Sequence, residues 1–372
     1  MRLKTIFPRR RLLVVALLLL VAAVLTGCQT VSYYTQAVRG HCQVLARRQS
    51  CEKLIADPNT PAELKAKLRL AGEIREFAQR ELKLPVNGHY QHFADVGRRY
   101  VVWNVTASPE FSLESKTWWY PIVGSLDYHG YFAESGARKY ADRLNQKGFD
   151  TNVEGVEAYS TLGWFKDPLL NTFIHHPEAA LAEILFHELA HQRVFVSGDT
   201  DFNEAFATVV GQEGARQWLR AKGDAALLEQ YLTALRRNVQ FVQLVAEARE
   251  KLEVLYGDER TSDRKIKATK RSPETPTEQL RQEKQLILDE LRREYEKLKA
   301  EWDAYTGYDA WFTGSLNNAQ LNSVATYYDL VPAFEQLLKS NNEDLEKFYA
   351  AVKKLAKLPN AERHRRLLAP AN

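Results

Sequence analysis

Apolar positions change their spacing several times along this chain, and each change marks a new element. Leu12 to Leu25 is an unbroken apolar run without a charge. Residues 29–47 have the pattern of a helix or tether, and Thr60-Pro61-Ala62-Glu63 reads as a capping box with proline at the first helical position. Behind it Leu64, Leu68, Ile74 and Phe77 recur at roughly helical spacing until Pro85 closes the segment. From Arg99 the period changes: residues 100–105 (YVVWNV) and 118–123 (WWYPIV) are rich in β-branched and aromatic side chains, as strands are. Residues 134–147 look helical and stop at Gly148, and Phe149 to Tyr159 predicts another strand. Such a strand–helix–strand unit can build a small sheet.

The second half is helical. Glu178 to Phe195 and residues 203–220 predict two helices, followed by long heptad-like stretches at 224–256 and 276–304, the latter opened by the capping box Thr275-Pro276-Thr277-Glu278. Between them Gly257 to Pro276 is polar and charged, a loop whose basic run Lys265 to Arg271 is solvated. The pair predicts an antiparallel helical hairpin. Neither stretch sustains a clean heptad seam, so packing on the core is favoured over a partner-binding coiled coil. The predicted class is α+β, predominantly helical, with a small sheet before the 178–195 helix and a long helical hairpin after it. The expected regions are a leader at 1–27, a helical region at 28–98, a core at 99–222, the hairpin at 223–310 and a C-terminal helical region at 311–372.

Charge changes the picture at the N-terminus. The chain has 372 residues and a formal charge of +4, but Arg2, Lys4, Arg9, Arg10 and Arg11 lie in the first 27 residues with no acid beside them, leaving −1 on the remainder. That removes a whole-protein argument for nucleic acid, which needs a basic face. The same basic stretch followed by Leu12 to Leu25, too short to span a bilayer comfortably, has the layout of a signal peptide. It ends in Leu25-Thr26-Gly27-Cys28, which resembles the bacterial lipobox, where the cysteine is lipidated and becomes the mature N-terminus; a plain anchor or ordinary secretory signal is the alternative. Gln29 after the cysteine, by resemblance to enterobacterial lipoproteins, favours the outer membrane. The expected location is therefore the cell envelope, lipid-anchored and facing the periplasm. Cys42 and Cys51 are close enough for a disulfide in an oxidising compartment, or they are two unrelated thiols.

Candidate chemistry centres on residues 186–192, FHELAHQ. On a helix, residues four apart share a face, so His187 and His191 can aim imidazoles at one point while Glu188 stands beside them as a base. Two imidazoles do not complete a zinc site. Position 194 is valine and 197 serine, which excludes the metzincin extension. Instead the chain continues with a turn at Gly198, an N-cap candidate at Asp201 and an acid, Glu204, at the start of the next helix. A short reversal would bring Glu204 beside His191, giving two imidazoles, a carboxylate and an open position for one Zn2+. Glu213 is the rival, but it is out of phase with Glu204. Asp199 and Asp201 read as loop and cap residues, or as hydrogen-bond partners of the ligand histidines. His129, His175 and His176 lack ligand spacing and are expected to be surface or hydrogen-bonded residues.

The HELAH motif followed by Asn203-Glu204-Ala205-Phe206-Ala207 resembles the gluzincin metallopeptidases, with a shorter gap than the thermolysin-like or long-gap aminopeptidase groups. With the lipobox, residues 99–105 (RYVVWNV), 158–165 (AYSTLGWF), 186–192 and 331–334 (VPAF), nearly the whole mature chain resembles a bacterial family of aminopeptidase lipoproteins, named for an inferred activity. The resemblance implies a zincin-like core at 99–222 and zinc-dependent peptide hydrolysis. One departure is that the cysteines expected near Trp118 to Ser125 are absent here. Gluzincins commonly place a Tyr or His downstream to stabilise the oxyanion; Tyr327 is the candidate, although a tyrosine on a helical apolar face is more often core. Tyr159 and Thr161 are candidates for a strand that pairs with extended substrate, Gly163 for close approach, and Asn317 and Asn318 for a substrate terminus. Aminopeptidase action is the first expectation. An endopeptidase for envelope proteins, or a non-enzymatic lipoprotein using the hairpin as an interaction arm, are the alternatives.

Overall fold

The computed structural model describes residues 30–121, 123–161, 165–257 and 277–369. Cys28, Gly163, the 258–276 loop and the Thr275-Pro276 half of the second capping box lie outside them. The protein is α+β and predominantly helical.

A first helix, α1, covers residues 30–46. After it come β1 (Arg48–Ser50), α2 (Cys51–Ala56) and α3 (Ala62–Arg80). The box at Thr60 does not form: Pro61 occupies the cap without a side-chain bond, because the preceding Asp57 turn draws the Thr60 amide back to the Asp57 carbonyl. Strand β2 (His92–Ala94) lies between antiparallel β1 and parallel β8 (Leu169–Leu170). The second sheet carries the predicted strand–helix–strand unit as β3 (Val102–Pro109), α4 (Glu134–Asn145) and β7 (Phe149–Val156), and adds β6 (His129–Tyr131), a strand the sequence did not mark; β6 and β7 flank β3, both antiparallel to it.

Strand β3 runs further than its β-rich signal, since Thr106 to Pro109 pair with Phe149 to Asn152; pairing partners override weak local preference. The 118–123 segment is cut short as β4 (Trp118–Tyr120), because Pro121 cannot donate to a ladder, and Gly124 at φ 79° turns the chain into β5 (Gly124–Leu126).

Helices α5 (Glu178–Arg193) and α6 (Thr200–Lys222) form the centre. Both carry apolar side chains nearly all round, the mark of helices buried on several sides. One core joins residues from α3, α5 and α6 to α10 (Val331–Ser340), α11 (Leu345–Ala356) and α12 (Asn360–Leu368).

The hairpin is α7 (Ala225–Tyr256) and α8 (Thr277–Glu301), and it packs on the rest of the protein, as the broken heptads predict. A second core links it to α9 (Asn318–Tyr328) and to a 3-10 turn at Asp309–Phe312. Lys284, on α8, contacts Asp150 of β7 at 2.5 Å.

Candidate metal centre

The reversal between α5 and α6 is fixed by local chemistry. Val194 leaves α5 in an extended conformation, and the Asn203 side chain clamps the loop by exchanging two 2.8 Å hydrogen bonds with the Val196 backbone. Gly198 turns at φ 78° and donates its N–H to the Val123 carbonyl. The helix starts earlier than the sequence predicts: Asp199, not Asp201, caps it by accepting from the Phe202 amide. Two glycines then let the helices close. A Cβ on Gly211 would lie 3.0 Å from the Glu183 carbonyl and 3.2 Å from His187 Cβ, and one on Gly214 would meet the Phe186 ring at 2.6 Å.

This approach brings His187, His191 and Glu204 together, with one ligand atom from each within 4.8 Å of the others. The two Nε2 atoms are 3.2 Å apart, and Glu204 Oε2 is 3.3 Å from His187 Nε2 and 3.7 Å from His191 Nε2. Ligands about 2.0–2.1 Å from a tetrahedral ion are separated by roughly 3.3 Å, so the triangle has the size such an ion requires. The donor chemistry agrees with that size. Two imidazole nitrogens and a carboxylate oxygen, each able to offer a lone pair to a cation, face one another. Glu213 points elsewhere: its carboxylate takes Arg216 and Gln217 at 3.0 and 2.9 Å. Asp199 is likewise committed, to Arg363 and His364 on α12, and holds neither His187 nor His191.

Electrostatics set the two histidines apart from Glu188. Burial drives His191 down to about 4, against the Glu204 charge and with help from His187. For His187 burial also opposes protonation, but the Glu204 hydrogen bond and the charges of Glu204, Glu188 and Glu183 overcome it and raise the value. Burial would raise Glu204, yet the two histidines lower it on balance. Glu188 is pushed up to about 7 by burial, with His187 opposing and Glu204 and Asp167 assisting. A carboxyl that changes protonation near neutrality is suited to taking and returning a proton.

Tyr327 reaches this cluster from α9. The Glu204 charge is the chief reason its hydroxyl stays protonated, followed by burial and then Tyr128, Glu154 and Glu188. Tyr128 lies in the turn before β6 and feels burial first, then Glu204 and Glu188. No spacing in the sequence marks Tyr128. Glu154, on β7, is exposed to solvent, while the surrounding protein raises its pKa by desolvation. Only its place at an outward position of a strand could have drawn notice. Strand β7 pairs with β3 alone, and no other strand lies along it among the described residues.

The remaining candidates fall elsewhere. The strand predicted to Tyr159 stops at Val156, because the chain beyond is diverted to side chains. Glu157 holds Thr172 and His176, and Thr161 folds onto both oxygens of Asp167. The Tyr159 hydroxyl is hydrogen-bonded to His41 Nδ1 on α1 at 2.9 Å. Asn317 caps α9 and donates to the Thr151 carbonyl. Fully buried Asn318 spends its amide on the carbonyls of Pro109, Glu110 and Ser112. Cys42 and Cys51 are free thiols. His129 bonds Tyr120, His175 pairs with Glu63 and His176 with Glu157. A cavity of about 1180 Å³ between α7 and α10 is lined by none of the three clustered residues.

No curated protein and no solved structure matches the chain. A family model described as "Putative aminopeptidase" matches residues 32–367, nearly all of the chain. The chain therefore belongs to the putative aminopeptidase family.

Proposed function

We propose that the protein is a zinc-dependent peptidase of the bacterial envelope that removes residues from peptide N-termini. The observation that carries it is the convergence of His187, His191 and Glu204 at 3.2 to 3.7 Å, with Glu188 one residue after the first ligand. Nitrogen and oxygen donors in this number, with a side left open, suit zinc. When bound, the metal supplies Lewis acidity toward the scissile carbonyl and lowers the pKa of the attacking water.

The rest belongs to the chain. Glu188 accepts the proton of the attacking water and returns it to the leaving amine. Tyr327 donates its hydroxyl to the oxyanion that develops on the carbonyl oxygen. The edge of β7 away from β3 pairs with the extended backbone of the substrate. Glu154 on that strand supplies the negative charge that meets a free α-amine, which favours an aminopeptidase over an endopeptidase.

The deciding experiment is Glu188→Gln. Gln keeps the shape and is not a ligand, so elemental analysis is expected to show unchanged zinc while aminoacyl-anilide hydrolysis falls by about 10²- to 10⁴-fold. A zinc-loaded variant cleaving at the parent rate overturns the mechanism. Glu154→Gln is expected to raise KM for substrates with a free N-terminus and leave N-acetylated peptides unaffected; equal effects on both would favour endopeptidase action.

A further inference from the structure

Helix α1 has two faces, and the protein uses one. Inward, Tyr33 stacks on His129 at 3.9 Å, and Gln36 donates to the Gly130 carbonyl and accepts from the Phe132 amide. Gly40 lies so close to Phe132 that a Cβ would sit 2.1 Å from the ring. At about 100° per residue, Val31, Tyr34, Val38 and Cys42 fall within roughly 80° of one another on the outer side. Val31 and Val38 are 65% and 63% exposed, Tyr34 is 38% exposed, and Cys42 is exposed too. Phe165, 47% exposed with its ring 4.6 Å from His41, extends the strip.

Charge and chain path say what covers this face. Arg39, Arg47 and Arg48 lie in or just after α1, and there is no Asp or Glu from residue 30 to residue 51. An apolar stripe beside arginines, with no acid in the same stretch, is the composition of a helix lying in the headgroup layer of an anionic bilayer. A second copy would instead bring like charges together. The apolar run ends at Leu25, and five residues of chain reach at most about 18 Å to residue 30, so α1 begins next to whatever holds that run.

We propose that the Val31, Tyr34, Val38 and Cys42 face of α1 rests on an anionic lipid surface and fixes the catalytic body against the membrane. The inference rests on the envelope attachment proposed above. Cys42 provides the reporter. In processed, lipidated protein carrying Cys51→Ser, whose Cys28 thiol is blocked by its lipid, reconstituted into phosphatidylglycerol-containing vesicles, a fluorophore on Cys42 is expected to be quenched by lipid-borne nitroxide and shielded from iodide. A fluorophore at Val239→Cys, an exposed position of α7, in protein also carrying Cys42→Ser is expected to behave oppositely. Val31→Glu with Val38→Glu is expected to return the Cys42 probe to water while the protein still floats with the vesicles. Flotation with an iodide-accessible Cys42 probe in the parent protein overturns the lipid contact and leaves attachment standing. Failure to float overturns both. Shielding that grows with protein concentration in lipid-free detergent overturns the proposal in favour of a second copy.

Discussion

Tyr327 is held protonated chiefly by the charge of Glu204, so its hydroxyl keeps a hydrogen to donate. Its proposed donation makes a narrow expectation: Tyr327→Phe leaves zinc content and melting temperature near the parent values and lowers kcat by about 10²- to 10³-fold, the usual loss for one oxyanion donor. If Tyr128→Phe carries that loss instead, the donor is the residue in the turn before β6. A different residue-scale effect arises beside the α5–α6 loop. Asp201 is raised to about 7 by burial and by Asp127, Asp199 and Asp329, with His364 opposing. A folded-state value above the unfolded one means that the native protein keeps its proton longer, so stability is lost as pH rises from the ordinary aspartate range through about 7. His364, raised by its Asp199 hydrogen bond, contributes stability that is lost in the same direction. Asp201→Asn is therefore expected to stabilise the protein by on the order of 1 kcal/mol at pH 8 and by less at pH 5, measured by thermal melts at both.

At the scale of elements, the metal triangle depends on how closely α5 and α6 approach. Gly211→Ala would press a methyl against the Glu183 carbonyl, one turn before His187, and backbone cannot move aside as a side-chain tip can. Overpacking of this kind costs about 1–3 kcal/mol. Zinc affinity is expected to fall in Gly211→Ala although no ligand has changed, as read by competition with a chromogenic chelator; unchanged affinity would show that the triangle tolerates helix separation. This dependence also explains what could be read from the sequence. His187, Glu188 and His191 share one helix, so their relative placement follows from helical period alone. Glu204 is within reach of such reading because the loop before it is short. Glu154 and Tyr128 come from a strand and a turn whose positions depend on tertiary packing, and their local patterns match those of ordinary surface residues. The difference at Tyr159 has the same origin: β-rich composition continues past Val156, but Asp167 and Thr172 have prior claim on that segment.

For the whole molecule, the attachment proposal has its own test. Cys28→Ser is expected to leave the protein unprocessed or to move it from the membrane to the soluble fraction, followed by gel mobility and fractionation. Unchanged size and location would remove the lipoprotein reading. The helical bulk of the protein was legible because long apolar periodicities persist through 224–256 and 276–304. The sharing of one core between the N-terminal helices, α5–α6 and α10–α12 was not, since periodicity says which face is buried and not against what.

That shared core orders the protein's assembly in time. Phe206, two residues past Glu204, packs on Phe334 of α10 and on Phe348 and Tyr349 of α11, far along the chain. Contacts at such separation form late, after the intervening loop has been closed. A nascent chain that has emerged through α6 carries His187, His191 and Glu204, yet the back of α6 is still bare apolar surface. It must be shielded until the C-terminal helices arrive. On the zinc reading proposed above, the ion would then be captured by a finished scaffold, and activity would wait on the last helices synthesised.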